Sequence, residues 1–269
     1  MTESTDQNWL LSNKHIRMDA NTDNNPKIRR DFHIERYRFA AKFIEGMTVL
    51  DGACGTGYGS EILGQSAARV FGIDLDPGAT DYASKKYGSE TINFRTSAVE
   101  LTPFEDSFFD AVVSYETVEH TLSPESHFKE IIRVLKPNGI AFISIPNSWG
   151  YTDQHFFDFN LDMLKSYTGR FFSDVEFFAN NPTKKPSENN GIDKLTSKNE
   201  RAECILAICR NPNKSQTLKK EERIDHLMAD IYKNAFKRHN EYLNLKGKIL
   251  YTGLNPLVKS LFHKIRRRF

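Results

Sequence analysis

The segment Val49-Leu50-Asp51-Gly52-Ala53-Cys54-Gly55-Thr56-Gly57-Tyr58-Gly59 restricts the fold more than any other part of the chain. A short apolar run ends in an acid and breaks into closely spaced small residues. That order describes a buried strand, a tight turn and the start of a helix. Small residues let the backbone approach a ligand, and a helix start offers free N–H groups. A second strand, Val70-Phe71-Gly72-Ile73-Asp74, ends in another acid 23 residues after Asp51. A carboxylate at that place can accept both hydroxyls of a ribose at the switch point of an open sheet.

Strands and helices then alternate. Helical spacing covers residues 59–65, 79–87 and 126–135, and apolar runs cover 69–73, 92–95, 111–114 and 140–145. This alternation predicts a doubly wound α/β fold with a mostly parallel sheet of seven strands. Val175–Phe178 and Ala202–Cys209 read as an antiparallel edge hairpin. The polar stretch between them, 180–201, reads as a surface insertion. Phe32, Tyr37, Phe39, Ala40, Phe43 and Ile44 recur on one helical face ahead of the first strand.

The expected organisation is a mobile polar arm over 1–30, one domain over 31–213, and a basic helical extension over 214–269. The extension carries 14 Lys and Arg against 5 Asp and Glu, whereas the rest carries 23 against 30. A mildly acidic body with a basic tail suggests that the tail meets something anionic. Leu257, Leu261, Phe262, Ile265 and Phe269 share one helical face, with Lys259, Lys264 and Arg266–Arg268 supplying charge. That pattern fits in-plane binding to an anionic membrane surface, with docking on a protein as the alternative. Nucleic acid is disfavoured, because aromatic platforms and a continuous basic body are lacking. Cys54, Cys204 and Cys209 form no disulfide framework and no zinc spacing, and read as buried thiols of a reducing compartment. With no secretory h-region and no run long enough to cross a membrane, the expected location is the cytoplasm. The tail would reach the inner membrane face.

The first turn lacks the Gly-x-Gly-x-x-Gly order used for pyrophosphate, and Asp51 suits the ammonium of a methionine moiety. From about Ile34 to Arg210 the chain resembles the class I S-adenosylmethionine-dependent methyltransferases. The resemblance rests on four ordered segments. They are Asp51–Gly57, Asp74 at the end of its strand, Phe108–Ser114, and Arg133-Val134-Leu135-Lys136-Pro137-Asn138-Gly139 before the fifth strand. It implies S-adenosyl-L-methionine as methyl donor, held by Asp51, Gly52, Ala53, Gly55, Gly57, Asp74, Leu75, Ser97, Ala98 and Tyr115, with Tyr37 on a helix folded over it. Two departures stand out. Ala53 replaces a common Gly, and Ser97 stands where many relatives place an Asp against the adenine amino group.

For the acceptor, the fourth strand opens into Tyr115-Glu116-Thr117-Val118-Glu119-His120. If helical, Glu116, Glu119 and His120 share one face. The fifth strand opens into Pro146-Asn147, with His155 soon after. Glu116, His120 and His155 are therefore the catalytic candidates. With Glu119 they make an oxygen and nitrogen set suited to a divalent ion such as Mg2+ or Mn2+. The same arrangement is similar to the metal site of ubiquinone-type O-methyltransferases and of small-RNA 3′-end methyltransferases. A metal-free histidine base and a purely structural role remain the other two readings. The segments 112–120 and 144–147 resemble bacterial methyltransferases of polysaccharide loci, which implies O-methylation of a sugar hydroxyl on a cell-surface glycan or its precursor. A quinone precursor, the 3′ end of an RNA, or an inactive donor-binding scaffold are the alternatives.

Overall fold

A computed structural model describes residues 19, 26–150, 155–182, 191–219, 222–231 and 234. In chain order the elements are α1 (Lys27–Ala41), β1 (Thr48–Gly52), α2 (Tyr58–Gly64), β2 (Arg69–Asp74), α3 (Pro77–Tyr87), β3 (Ile92–Thr96) and β4 (Phe109–Tyr115). They continue with α4 (Pro124–Val134), β5 (Leu135–Pro146), α5 (Leu161–Phe171), β6 (Phe172–Asn180), β7 (Ile192–Lys194) and β8 (Cys204–Pro212). One sheet holds all the strands among the described residues, in the order β3-β2-β1-β4-β5-β8-β6-β7. The first five are mutually parallel, and β8, β6 and β7 run antiparallel to their neighbours.

The period of two along the strands makes two cores. In β4, Val112 faces one layer while Ala111 and Val113 face the other. The first layer packs α4 and α5 through Phe128, Ile131, Leu164 and Phe171. The second packs α1 through Tyr37 and Ala40, the connection after it through Ile44, and α2 through Leu63, and reaches Tyr87 of α3. Each fully buried Phe or Leu contributes about 1.5–3 kcal/mol relative to exposure. Helix starts are set by local chemistry: Asp76, Ser123 and Asn160 accept backbone N–H bonds as N-caps of α3, α4 and α5.

Four expectations change. The sheet has eight strands, because part of the supposed surface insertion forms β7 on β6. Asn180 and Ile192 are buried, and Ile192 joins the second core. The insertion is therefore not wholly exposed. No element was expected over Leu161–Phe171, which is α5. At the N-terminus, Asp19 is buried, accepting from Tyr82 at 2.7 Å and pairing with Lys86 at 2.6 Å. At least this residue of the polar arm is tied to α3. The amphipathic run 257–269 lies outside the described residues. Among those residues no helix is long and apolar enough to cross a membrane.

Candidate active site

β1 carries Asp51 into the interior, where its carboxylate meets two hydroxyls. Ser60 Oγ donates to Oδ2 at 2.7 Å and the Tyr37 hydroxyl approaches Oδ1 at 3.4 Å. Burial pushes the Asp51 carboxyl up to about 7, with the two hydrogen bonds opposing. A carboxylate at that depth is poised for a cation.

The turn after β1 is left-handed at Ala53 (φ 58°), Gly55 (φ 56°) and Gly57 (φ 86°). Ala53 thus holds a conformation that a side chain disfavours. Gly57 has a second constraint: a Cβ there would lie 2.7 Å from Ala83 and 2.9 Å from the Phe94 ring. The turn aims its backbone at β2, with Cys54 N–H donating to Ile73 O at 2.8 Å. The Asp74 carboxylate accepts from Gly55 N–H at 3.0 Å and from Asp76 N–H at 2.9 Å. Beside it Leu75 stands 64% exposed, an apolar surface next to a buried acid. Ser97 closes the same edge, its N–H donating to Asp74 O at 2.9 Å. Its hydroxyl is directed to Ala98 O at 3.2 Å.

Tyr37 reaches this end from α1. Its ring stands edge-on to Tyr115 at 5.2 Å and to Tyr58 at 5.6 Å. It passes so close to α2 that a Cβ on Gly59 would lie 2.2 Å from it. The Tyr115 hydroxyl is buried without a hydrogen-bond partner, and burial keeps the phenol protonated.

The acceptor side departs from the expected helix. Glu116 lies in a turn with φ 48°, and only Val118–His120 form a single 3-10 turn. Glu116, Glu119 and His120 therefore do not share a helix face. The reason is Arg36, which is buried on α1 and pairs with Glu116 Oε1 at 2.9 Å. Ser144 Oγ donates to the same oxygen at 3.0 Å, and Cys204 Sγ lies 3.6 Å from Oε2. Sequence reasoning gave Arg36 no such role. A lone Arg in an otherwise apolar helical stripe was the available signal.

Glu119 is buried, and neither of its carboxylate oxygens has a hydrogen-bond partner. Burial, with the charge of Glu116 nearby, holds its carboxyl well above the usual range. Phe156 and Phe157 N–H groups donate to Glu119 O at 2.8 and 3.2 Å, which draws the chain after β5 back onto this turn. His155 arrives with them, its ring 4.8 Å from that of His120. His120 Nε2 is 3.8 Å from Glu119 Oε1. One ligand atom from each of Glu119, His120 and His155 lies within 4.8 Å of the others. The four-residue set of the sequence thus assembles as three, with Glu116 held by Arg36 instead. A buried carboxylate without a partner and two imidazoles fit a divalent cation; they equally fit proton transfer from a hydroxyl. His127 serves a different purpose, bridging Ser114 Oγ at 2.9 Å and Val99 O at 3.4 Å. Burial lowers its pKa to about 4, so it stays neutral.

Residues 50–143 match the family described as "Methyltransferase domain". A probable S-adenosylmethionine-dependent methyltransferase of Mycolicibacterium smegmatis is 31% identical over 111 residues, 41% of this chain and 42% of the relative. The ubiquinone biosynthesis O-methyltransferase of Methylocella silvestris is 31% identical over 123 residues, 44% of this chain and 48% of the relative. The chain thus spans less than half the length of these curated relatives. Among solved structures, a TehB-like methyltransferase of Corynebacterium glutamicum superimposes with a TM-score of 0.52 at 17% identity. That match covers 78% of this chain and all of the other, and shows a shared fold.

Proposed function

We propose that this chain, which carries a class I, Rossmann-like S-adenosylmethionine-dependent methyltransferase domain, transfers a methyl group to a hydroxyl oxygen of a small molecule or glycan. The observation that carries the acceptor reading is the His120–His155 pair beside the unpartnered Glu119 carboxylate. An alcohol is far too weak an acid to react at neutral pH without a base or a cation, and these groups supply one.

When bound, the donor supplies an electrophilic sulfonium methyl. Asp51 would face its ammonium and Asp74 would accept the ribose hydroxyls. Leu75, Ser97 and Ala98 border the adenine, and Tyr37 and Tyr115 exclude water over the methionine moiety. With donor and acceptor both bound, His120 or His155 would take the hydroxyl proton as the C–O bond forms and the S–C bond breaks, the demethylated thioether being the leaving group. If Mg2+ or Mn2+ is resident, Glu119, His120 and His155 would hold it and it would acidify the hydroxyl.

The preferred acceptor is a sugar hydroxyl of a cell-surface glycan or its precursor, supported by the likeness of 112–120 and 144–147 to polysaccharide-locus enzymes. A quinone-precursor hydroxyl is the second reading, favoured by the name of the Methylocella relative. The basic amphipathic run 257–269 would hold the protein at an anionic membrane surface in either case. Transfer of labelled methyl from donor into a cell extract, fractionated into glycan, lipid and RNA, tests all of this. Label in glycan is expected. Label confined to lipid favours the quinone reading, and label confined to RNA defeats both. No transfer into any fraction, with donor binding intact, leaves a donor-binding scaffold.

A further inference from the structure

The residues after β8 do not leave the domain. Lys214 Nζ donates to Ile132 O at 2.6 Å at the C-terminal end of α4. The chain then returns along α4 toward its N-terminus, helical over 222–231. Arg223 Nη1 lies 3.3 Å from both Glu130 oxygens. His226 Nε2 meets Lys129 Nζ at 2.7 Å, and its Nδ1 lies 3.3 Å from Ser126 Oγ. Asp230 Oδ2 accepts from Ser123 Oγ at 2.8 Å, and Asn234 Nδ2 donates to Leu122 O at 3.0 Å. The contacts climb one turn at a time and finish at Leu122, two residues beyond His120.

That end point has a chemical meaning. The 3-10 turn with Glu119 and His120 is closed by His120 N–H to Thr117 O at 2.9 Å, Thr121 N–H to Val118 O at 3.2 Å and Thr121 Oγ1 to Val118 O at 2.8 Å, with Phe156 and Phe157 N–H meeting Glu119 O from outside. So short a helix does not hold its own shape. Leu122 and Ser123, just past it, are gripped from the body through Leu122 N–H to Glu100 Oε1 at 3.1 Å. They are gripped from the C-terminal segment by Asn234 and Asp230. Ser123 is also the N-cap of α4, its Oγ accepting Ser126 N–H at 3.0 Å. The hydroxyl lies within donating distance of both Asp230 Oδ2 at 2.8 Å and Ser126 Oγ at 2.9 Å; the carboxylate is the stronger acceptor, and it is welcome at a helix start.

We propose that Asp230 and Asn234 are positioning residues that fix the Glu119–His120 turn for the acceptor. This rests on the methyl-transfer reading above for its effect on turnover, but not for its effect on the turn. The test uses full-length protein with Asp230→Ala, Asn234→Ala, both together, and Asp230→Asn, whose amide oxygen still accepts from Ser123. Amide hydrogen exchange is read at His120 and Thr121, and across α4. Loss of two such bonds is worth roughly fivefold to a hundredfold in local opening. The double variant should therefore speed exchange at His120 and Thr121 by at least about fivefold. Exchange across α4 and donor affinity should stay within error, the thermal midpoint should fall by no more than the few degrees that two lost bonds account for, and Asp230→Asn should behave as wild type. Methyl transfer into the extract should fall in kcat with donor KM unchanged. Unchanged exchange at His120 and Thr121 overturns the proposal. So does equal acceleration throughout α4, which would mark a merely structural contact. If wild type transfers no methyl, the methyl-transfer reading has failed, and the exchange pattern alone still decides whether these two residues hold the turn.

Discussion

At Asp51 two requirements oppose each other: the fold buries the carboxyl, and a cationic donor needs it ionised. Its pKa is raised from the ordinary 3.8 to about 7. Its contribution to folding is full below the unfolded value and is lost as pH rises through about 7. Donor affinity should run the other way. Binding at pH 6 must first remove a proton, so affinity should rise as pH climbs through about 7, with proton release at the lower pH. Calorimetry in buffers of different ionisation heat reads both effects, and a flat profile would remove Asp51 from the donor site. Asp74→Ala should weaken donor binding about tenfold or more, since charged hydrogen bonds contribute about 1.5–3 kcal/mol. Unchanged affinity in that variant refutes the ribose assignment. At the acceptor side, EDTA separates the two chemistries of Glu119, His120 and His155. Loss of turnover restored by Mg2+ or Mn2+ supports an ion, whereas full activity in EDTA leaves the imidazoles as base. Asp51 and Asp74 were legible in the sequence because an acid at a strand end takes its position from the strand itself. The Arg36–Glu116 pair was not, because its partners are 80 residues apart and meet only through packing of α1 on the sheet.

Among the elements, the turn from β1 into α2 has little tolerance. Gly57→Ala would place a methyl against Ala83 and Phe94 in a left-handed conformation. A destabilisation of about 1–3 kcal/mol is expected from the strain alone. Urea unfolding should show a lower midpoint at an unchanged slope, with donor binding lost; a midpoint equal to wild type would mean that α2 and α3 move apart freely. Element type was readable wherever apolar periodicity was long, as in β4, β5 and α4. It failed in short segments. Glu116, Glu119 and His120 have helical spacing, yet a strand end followed by a tied Glu116 leaves room for one 3-10 turn only. β7 has three residues and gains its place from β6, so nothing local announced it. In α5, Asn160 and the Leu161, Leu164, Thr168, Phe171 spacing were present as signals, but the preceding Phe-rich run obscured the period.

On the scale of the whole molecule, charge divides the chain into an acidic body and a basic end. Deleting residues 256–269 should leave donor affinity unchanged and lower association with anionic vesicles. Each basic residue near such a surface contributes about 1 kcal/mol, and added salt should weaken the effect. Full-length protein that ignores phosphatidylserine vesicles at low salt would exclude the lipid role. The strand order carries one more consequence, for the order in which the protein is made. β8 lies between β5 and β6 although it is the last in sequence of the described strands. A ribosome releasing the chain from its N-terminus delivers β5, then β6 and β7, while the place that joins them is still vacant. Until residues 204–212 emerge, β5 presents an unpaired apolar edge and the β6–β7 ribbon has no sheet to join. The nascent protein therefore passes through an interval of exposed, pairing-competent edges that ends in a single insertion, and that interval is when a chaperone has the most to protect.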